Sequence, residues 1–135
     1  MAFADAQSGA TILYGSESAI IELAGTVTKG DAVGFSGGWK RALATTGSVV
    51  QMRCVAGEDG VTNQKITAYF GATLMDDRLS GGTAGAALYV AEGTSNGMFT
   101  ETAPSTTGDS NKKVGYMLTA TLAALTPNAN VDSVA

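Results

Sequence analysis

Histidine is absent from this chain of 135 residues, and cysteine occurs once, at Cys54. Without histidine there is no imidazole to take a proton from a serine nucleophile, and none to ligate zinc. One cysteine forms no intrachain disulfide. Within Val50-Gln51-Met52-Arg53-Cys54-Val55, period-two alternation places Met52 and Cys54 on one face, and Cys54 reads as a small buried apolar residue. Charge is scarce as well: 15% of the residues are charged, against about 25% in an average globular domain. Alanine, threonine, serine and glycine fill the gap, which fits a chain packed against copies of itself or other partners. The net charge of −4 leaves no cationic surplus to displace phosphate counterions, so nucleic acid is not an expected partner. Lys40-Arg41 and Lys112-Lys113 are isolated pairs that read as solvated faces. No apolar run approaches the ~20 residues of a membrane span, and no membrane partner is expected. The opening MAFADAQSGATILYG has neither the basic start nor the apolar core of a signal peptide. Synthesis in a cytoplasm is the corresponding expectation.

What the chain does contain is β grammar. From Gly85 to Thr121 it reads as strand, turn, strand, polar loop, strand. Ala87-Leu88-Tyr89-Val90 is short and apolar, and Thr94-Ser95-Asn96-Gly97 carries the Asn-Gly hairpin signal. Met98-Phe99-Thr100 returns, Pro104 ends ladder pairing because it has no N–H to donate, and Val114 to Leu118 follows. A fainter copy runs from Lys29 to Ser48, with Ser36-Gly37-Gly38 as its turn and Trp39 opening the return strand. Trp39 reads first as a core anchor and second as a subunit-interface anchor.

Taken in order, residues 1–15 form an extended N-terminal arm with apolar points at Phe3, Ile12, Leu13 and Tyr14. The segment buries little by itself and is long enough to reach a neighbour. Residues 16–127 form one β domain. Its strands include Ser18–Thr28, Val49–Val55 and a long one over Ile66–Leu74, whose β-branched and aromatic content excludes a helix. Met75 to Leu79 reads as a turn or a single helical turn, and Leu122 to Leu125 as helix or strand end. Residues 128–135 are a polar tail in which Val131 and Val134 are candidate contacts. About seven to eight short strands joined by Gly, Asn, Asp and Ser imply an all-β fold, a small sandwich or barrel.

Motifs that resemble chemistry do not hold up. Gly34-Phe35-Ser36-Gly37-Gly38 matches G-x-S-x-G, but the nucleophile elbow needs a helix after the serine and a histidine partner. Glu58-Asp59 and Asp76-Asp77 lack the alternating ligand spacing of a calcium loop. Gly82-Thr83-Ala84-Gly85 precedes a strand, whereas a dinucleotide fingerprint follows one and opens a helix. No catalytic residue, metal site or cofactor is expected, and the chain does not read as an enzyme.

Two stretches resemble the bacteriophage head decoration proteins, also called capsid-stabilising or cement proteins. One is Ala87-Leu88-Tyr89-Val90, Gly97-Met98-Phe99-Thr100, Ala103-Pro104-Ser105 and Val114-Gly115-Tyr116-Met117-Leu118. This is similar to the endings of phage head and other virion β domains. The other is Leu43 to Leu74, which is similar in its order of short strands and turns to the middle of lambda-type decoration proteins. The resemblance implies homotrimers on the outer surface of an icosahedral head, each copy bridging neighbouring major capsid protein subunits, in a virion assembled in a bacterial host. On this reading Phe3, Ile12, Leu13 and Tyr14 are the capsid contacts. Two alternatives use the same kind of module: a phage tail or fibre domain, and a carbohydrate-binding module with Trp39, Tyr69 or Tyr89 as stacking platforms.

Overall fold

A computed structural model describes residues 2–135; Met1, the first residue of the expected arm, lies outside them. Turn residues divide the chain into short strands. In order these are β1 (Ala4–Asp5), β2 (Thr11–Gly15), β3 (Ser18–Glu22), β4 (Ala32–Phe35), β5 (Trp39–Arg41), β6 (Cys54–Ala56) and β7 (Lys65–Tyr69). There follow β8 (Thr73–Asp76), β9 (Leu79–Ser80), β10 (Ala87–Val90), β11 (Phe99–Thr100), β12 (Lys113–Met117) and β13 (Ala123–Leu125). Among the described residues there is no helix, and all pairing within the sheets is antiparallel. The all-β expectation holds, in a sandwich-like arrangement. A large sheet has the order β11-β10-β12-β13-β8-β2, a second has the order β3-β7-β6-β4-β5, and β1 and β9 form a two-stranded ribbon.

The second sheet curls on itself. Leu23, just beyond β3 at one edge, bridges Trp39 of β5 at the other, and the Ala24 N–H donates to the Trp39 carbonyl at 2.8 Å. This single contact does not close a barrel, but it encloses a core of Ile21, Leu23, Val27, Val33, Cys54, Ala56, Ile66 and Ala68. The other core lies between the sheets. Ala32, Ala42, Met52 and Val55 meet Met75, Leu88, Phe99, Val114, Met117 and Leu125 there. Met52 and Cys54 therefore belong to different cores. The expected strand over Val49–Val55 begins only at Cys54, so no alternation relates the two side chains.

The expected long strand over Ile66–Leu74 is corrected too. It bends at Phe70–Ala72, leaving β7 in the curled sheet and β8 in the large one. The partner strand bends beside it. Between β2 and β3 the Ser16 N–H donates to the Ala72 carbonyl at 3.1 Å, the Phe70 N–H donates to the Glu17 carbonyl at 3.1 Å, and Glu17 sits at φ 53°. One bent two-stranded ribbon thus belongs to both sheets, which is how sheets in such packings acquire corners. At the corner a side chain on Gly15 would start 2.5 Å from the Tyr69 ring. Only glycine lets the two layers approach this closely.

This pairing corrects the arm as well. Across residues 2–15, β1 pairs with β9 and β2 pairs with β8 in the register Thr11↔Asp76, Ile12↔Met75 and Tyr14↔Leu74. The segment is an edge of the fold because its backbone groups find ladder partners and its apolar points find a core. Phe3 and Ile12 pack on the inter-sheet core.

The two sequence hairpins appear as β10–β11 and β4–β5, and each central strand has its next neighbour on the far side, β12 and β6. They also hold each other. The Ala32 N–H donates to the Gly97 carbonyl at 3.0 Å, and the Gly97 N–H donates to the Ala42 carbonyl at 2.8 Å. Leu122 to Leu125 resolves as strand β13, and Met75 to Leu79 as a strand end, a turn at Asp77 (φ 71°) and β9.

Candidate functional site

Polar chemistry concentrates where β1, the start of β4, β5, β9 and the Asn96-Gly97 turn converge. Arg78 is fully buried there, and all five of its N–H groups are used. Nε donates to Asp5 Oδ1 at 2.7 Å, and Nη2 to Asp5 Oδ2 at 3.1 Å and the Gly97 carbonyl at 3.1 Å. Nη1 donates to Asp31 Oδ1 at 2.8 Å and the Lys29 carbonyl at 3.2 Å. Arg41 completes the group, its Nε lying 2.6 Å from Asp31 Oδ2. Backbone donors take the carboxylates' remaining positions: Gln7 N–H and Phe99 N–H on Asp5, and Thr28 N–H on Asp31. Two cations face two anions, with the Phe99 ring 5.9 Å from the Arg78 guanidinium carbon. Gly97, at φ 80°, must be glycine because a Cβ would lie 2.8 Å from Arg41 and 2.9 Å from Asp31. Arg78 is saturated and both carboxylates are buried, while the partly exposed Arg41, whose Nη2 donates to the Thr28 hydroxyl at 2.9 Å, caps the cluster at the surface. The cluster's task is to fasten the N-terminal strand to both sheets.

A second polar node lies at the other end of the chain. Lys112 is buried, which corrects its expected place on a solvated face, while Lys113 beside it is exposed. Lys112 Nζ donates to the Met52 carbonyl at 2.7 Å and the Asn128 carbonyl at 2.9 Å. Arg53 Nη1 shares the Asn128 carbonyl at 3.2 Å. Burial, helped by repulsion from Arg53 and opposed by Asp132, pushes the Lys112 ammonium down to about 8. Beyond Asn128 the tail lies along the loop before β12, with Val134 N–H donating to the Asp109 carbonyl at 2.9 Å. A shallow polar recess of about 520 Å³ opens there between Asn111, Lys113, Asn130, Asp132 and Ser133.

The motifs considered as chemistry have structural occupations. Ser36 lies in the β4–β5 turn, where its N–H donates to the Gly38 carbonyl at 2.9 Å. Glu58 and Asp59 accept backbone N–H groups of Thr67 and Lys29, and Asp77 accepts the Thr11 hydroxyl. Among the described residues no group of three or more potential ligands is placed to hold a metal ion. Cys54 is buried with its thiol pushed up to about 12 by that burial, so thiolate chemistry is closed to it at neutral pH.

No protein-family model, curated protein or solved structure matches this chain. Its surface must therefore be read on its own terms.

The distinctive surface is the outer face of the large sheet. Directly paired residues share a face, so the register defines one row across five neighbouring strands: Tyr14, Leu74, Ala124, Tyr116 and Ala87. The neighbouring row Ile12–Met75–Ala123–Met117 points inward and is covered by the inter-sheet core. On the outward row Tyr14 and Tyr116 are exposed, and Leu13 and Leu118 stand exposed beside them. Leu13 occupies the register shift in β2, where one extra residue puts it and Tyr14 on the same side. Of the four arm residues singled out in the sequence, the structure thus splits two inward, Phe3 and Ile12, and two outward, Leu13 and Tyr14. The curled sheet exposes Ile20 and Phe35. Trp39 is half-buried on that sheet's core, held edge-to-face between Phe35 at 5.2 Å and Phe70 at 5.5 Å. Sequence alone marked Leu13, Tyr14 and Trp39 but missed Tyr116 and Leu118 as surface residues. Their exposure follows from alternation in β12 against the buried Met117.

Proposed function

We propose that this chain is a structural virion protein that decorates and stabilises the outer surface of an icosahedral phage capsid, as trimers bridging major capsid protein subunits. The observation that carries the reading is exposed apolar side chains on both sheets of a charge-poor subunit: Leu13, Tyr14, Tyr116 and Leu118 on one, Ile20 and Phe35 on the other. A small subunit set among several neighbours needs more than one contact surface. Contacts too weak singly become firm when they act together. The buried ion cluster fastens β1, and the ladder with β8 holds β2, the edge strand that presents Leu13 and Tyr14. The protein is made in the host cytoplasm and ends on the virion exterior, with no catalytic role and no cofactor.

The test is sedimentation of the purified chain with expanded heads lacking it. Saturable binding at a fixed ratio per capsid subunit, reduced at least tenfold by the double change Leu13→Ala and Tyr14→Ala, is the expected result. Absence from heads with presence in purified tails would move the chain to a tail or fibre role. Glycan binding abolished by Trp39→Ala would move it to the carbohydrate-binding class.

A further inference from the structure

We infer that the outer face of the large sheet is the seat of a second copy of this chain, packed face to face about a two-fold axis that runs parallel to the strands between β12 and β13. The inference concerns the purified chain alone and does not depend on the capsid reading.

Size is the first argument. Leu13, Tyr14, Tyr116 and Leu118 are 57%, 54%, 44% and 41% exposed. With full areas of roughly 150–250 Å² for such side chains, they leave roughly 400 Å² of largely apolar surface uncovered. Two copies would bury roughly 800 Å² from these residues alone, and Leu74, Ala87 and the flanking threonines carry the total toward the ~1,200 Å² at which specific interfaces begin.

Shape is the second. The midline of the order β11-β10-β12-β13-β8-β2 falls between β12 and β13. A two-fold axis along that line lays β12 on the partner's β13 and β10 on the partner's β8, so the whole face overlaps. Along the outward row, Tyr116 then meets Ala124 of the second copy, and Leu74 meets its Ala87. Every central position sets a large side chain against a small one. Ala124 is only 7% exposed because Leu74 and Tyr116 stand on either side of it. It floors a furrow into which the second copy's Tyr116 fits. An isologous contact requires this kind of self-complementarity, and sheets packed this way lie ~10 Å apart with interdigitating side chains.

Charge is the third. Within these strands the outward ionic residues are Asp76 and Lys113, at opposite ends of the face. Under the proposed axis Asp76 falls near Gly85 and Lys113 near Thr126 of the second copy, both at the ends of the face, so neither residue meets its own counterpart. The contact is two-fold, and within a three-fold assembly it would join one trimer to the next.

The experiment is light scattering on a sizing column across a concentration series, for the native chain and for Tyr116→Lys, Leu118→Lys and Val61→Lys. The expected result is a native mass of twice the 13.6 kDa chain. Tyr116→Lys and Leu118→Lys should each fall to the single-chain mass, while Val61→Lys, exposed off this face, remains paired. Circular dichroism verifies that each variant is folded. If Tyr116→Lys does not fold, Leu118→Lys decides. A native chain that stays single up to about 1 mM overturns the inference. So does a pair insensitive to both substitutions, or a threefold mass that Tyr116→Lys abolishes.

Discussion

Arg78 and Lys112 are both long cations taken almost wholly out of water, and the fold treats them oppositely. Arg78 meets two carboxylates and two carbonyls that use every N–H it has. Lys112 meets two backbone carbonyls and no carboxylate within hydrogen-bond reach. The difference shows in protonation: burial drives the Lys112 ammonium down to about 8. A guanidinium offers a planar fork that several acceptors can fill at once and never loses its charge, whereas an ammonium is a compact, strongly hydrated charge that yields its proton when desolvated. The fold has placed the first at the junction of three sheets. The second sits where a tail crosses a loop.

The largest effect should come from Arg78→Met, which leaves Asp5 without its ionic partner and Asp31 with Arg41 alone. A loss of about 3–5 kcal/mol in urea unfolding is expected. A loss no greater than that of Lys112→Met would break the comparison.

Asp5→Asn should come next, at about 1.5–3 kcal/mol. Asp5 Oδ1 accepts from Gln7 N and Arg78 Nε, while Oδ2 accepts from Arg78 Nη2 and Phe99 N. Whichever way the new amide turns, its NH₂ faces a donor. Faster hydrogen exchange at Gln7 and Phe99, with the amides of β7 unchanged, would locate the loosening at the N-terminal strand.

The smallest effect belongs to Lys112→Met, about 1–2 kcal/mol at pH 7 because the Met52 and Asn128 carbonyls lose a donor. Its pH dependence sharpens the contrast. The unfolded chain holds this proton up to about 10.5 and the folded chain only to about 8. Between those values unfolding takes up a proton, so native stability rises with pH. This contribution is complete above about 10.5 and gone as the pH falls through about 8. The gap between native chain and Lys112→Met should therefore widen from pH 8 to 10.5. A constant gap would mean that the lysine keeps its proton.

Some of this was legible in the letters. Asn96-Gly97 and Ser36-Gly37-Gly38 mark their hairpins because few residues other than glycine and asparagine accept positive φ without strain. Alternation in Val114 to Leu118 and the β-branched content of Ile66 to Ala68 mark strands. The arm misled because Ala4-Asp5 is too short to show a period, and its strand exists through an arginine more than seventy residues away. Lys112 misled because it looks the same as Lys113 beside it. One points into a gap between chain segments and the other does not, which is a fact of packing. The outward apolar row was illegible for a related reason. Tyr14, Leu74, Ala124, Tyr116 and Ala87 become neighbours only through four strand pairings of defined register.

By itself the sequence determined the β class, the places of its two glycine-marked hairpin turns and the want of chemistry built on histidine or disulfides. These depend on what single residues and their immediate neighbours permit. The bend that gives one ribbon to two sheets was decided only in three dimensions, as were the fastening of the N-terminal strand, the fate of each buried cation and the shape of the exposed face. Each of these rests on contacts between residues far apart in the chain, whose free energy exists only once the strands have found their register.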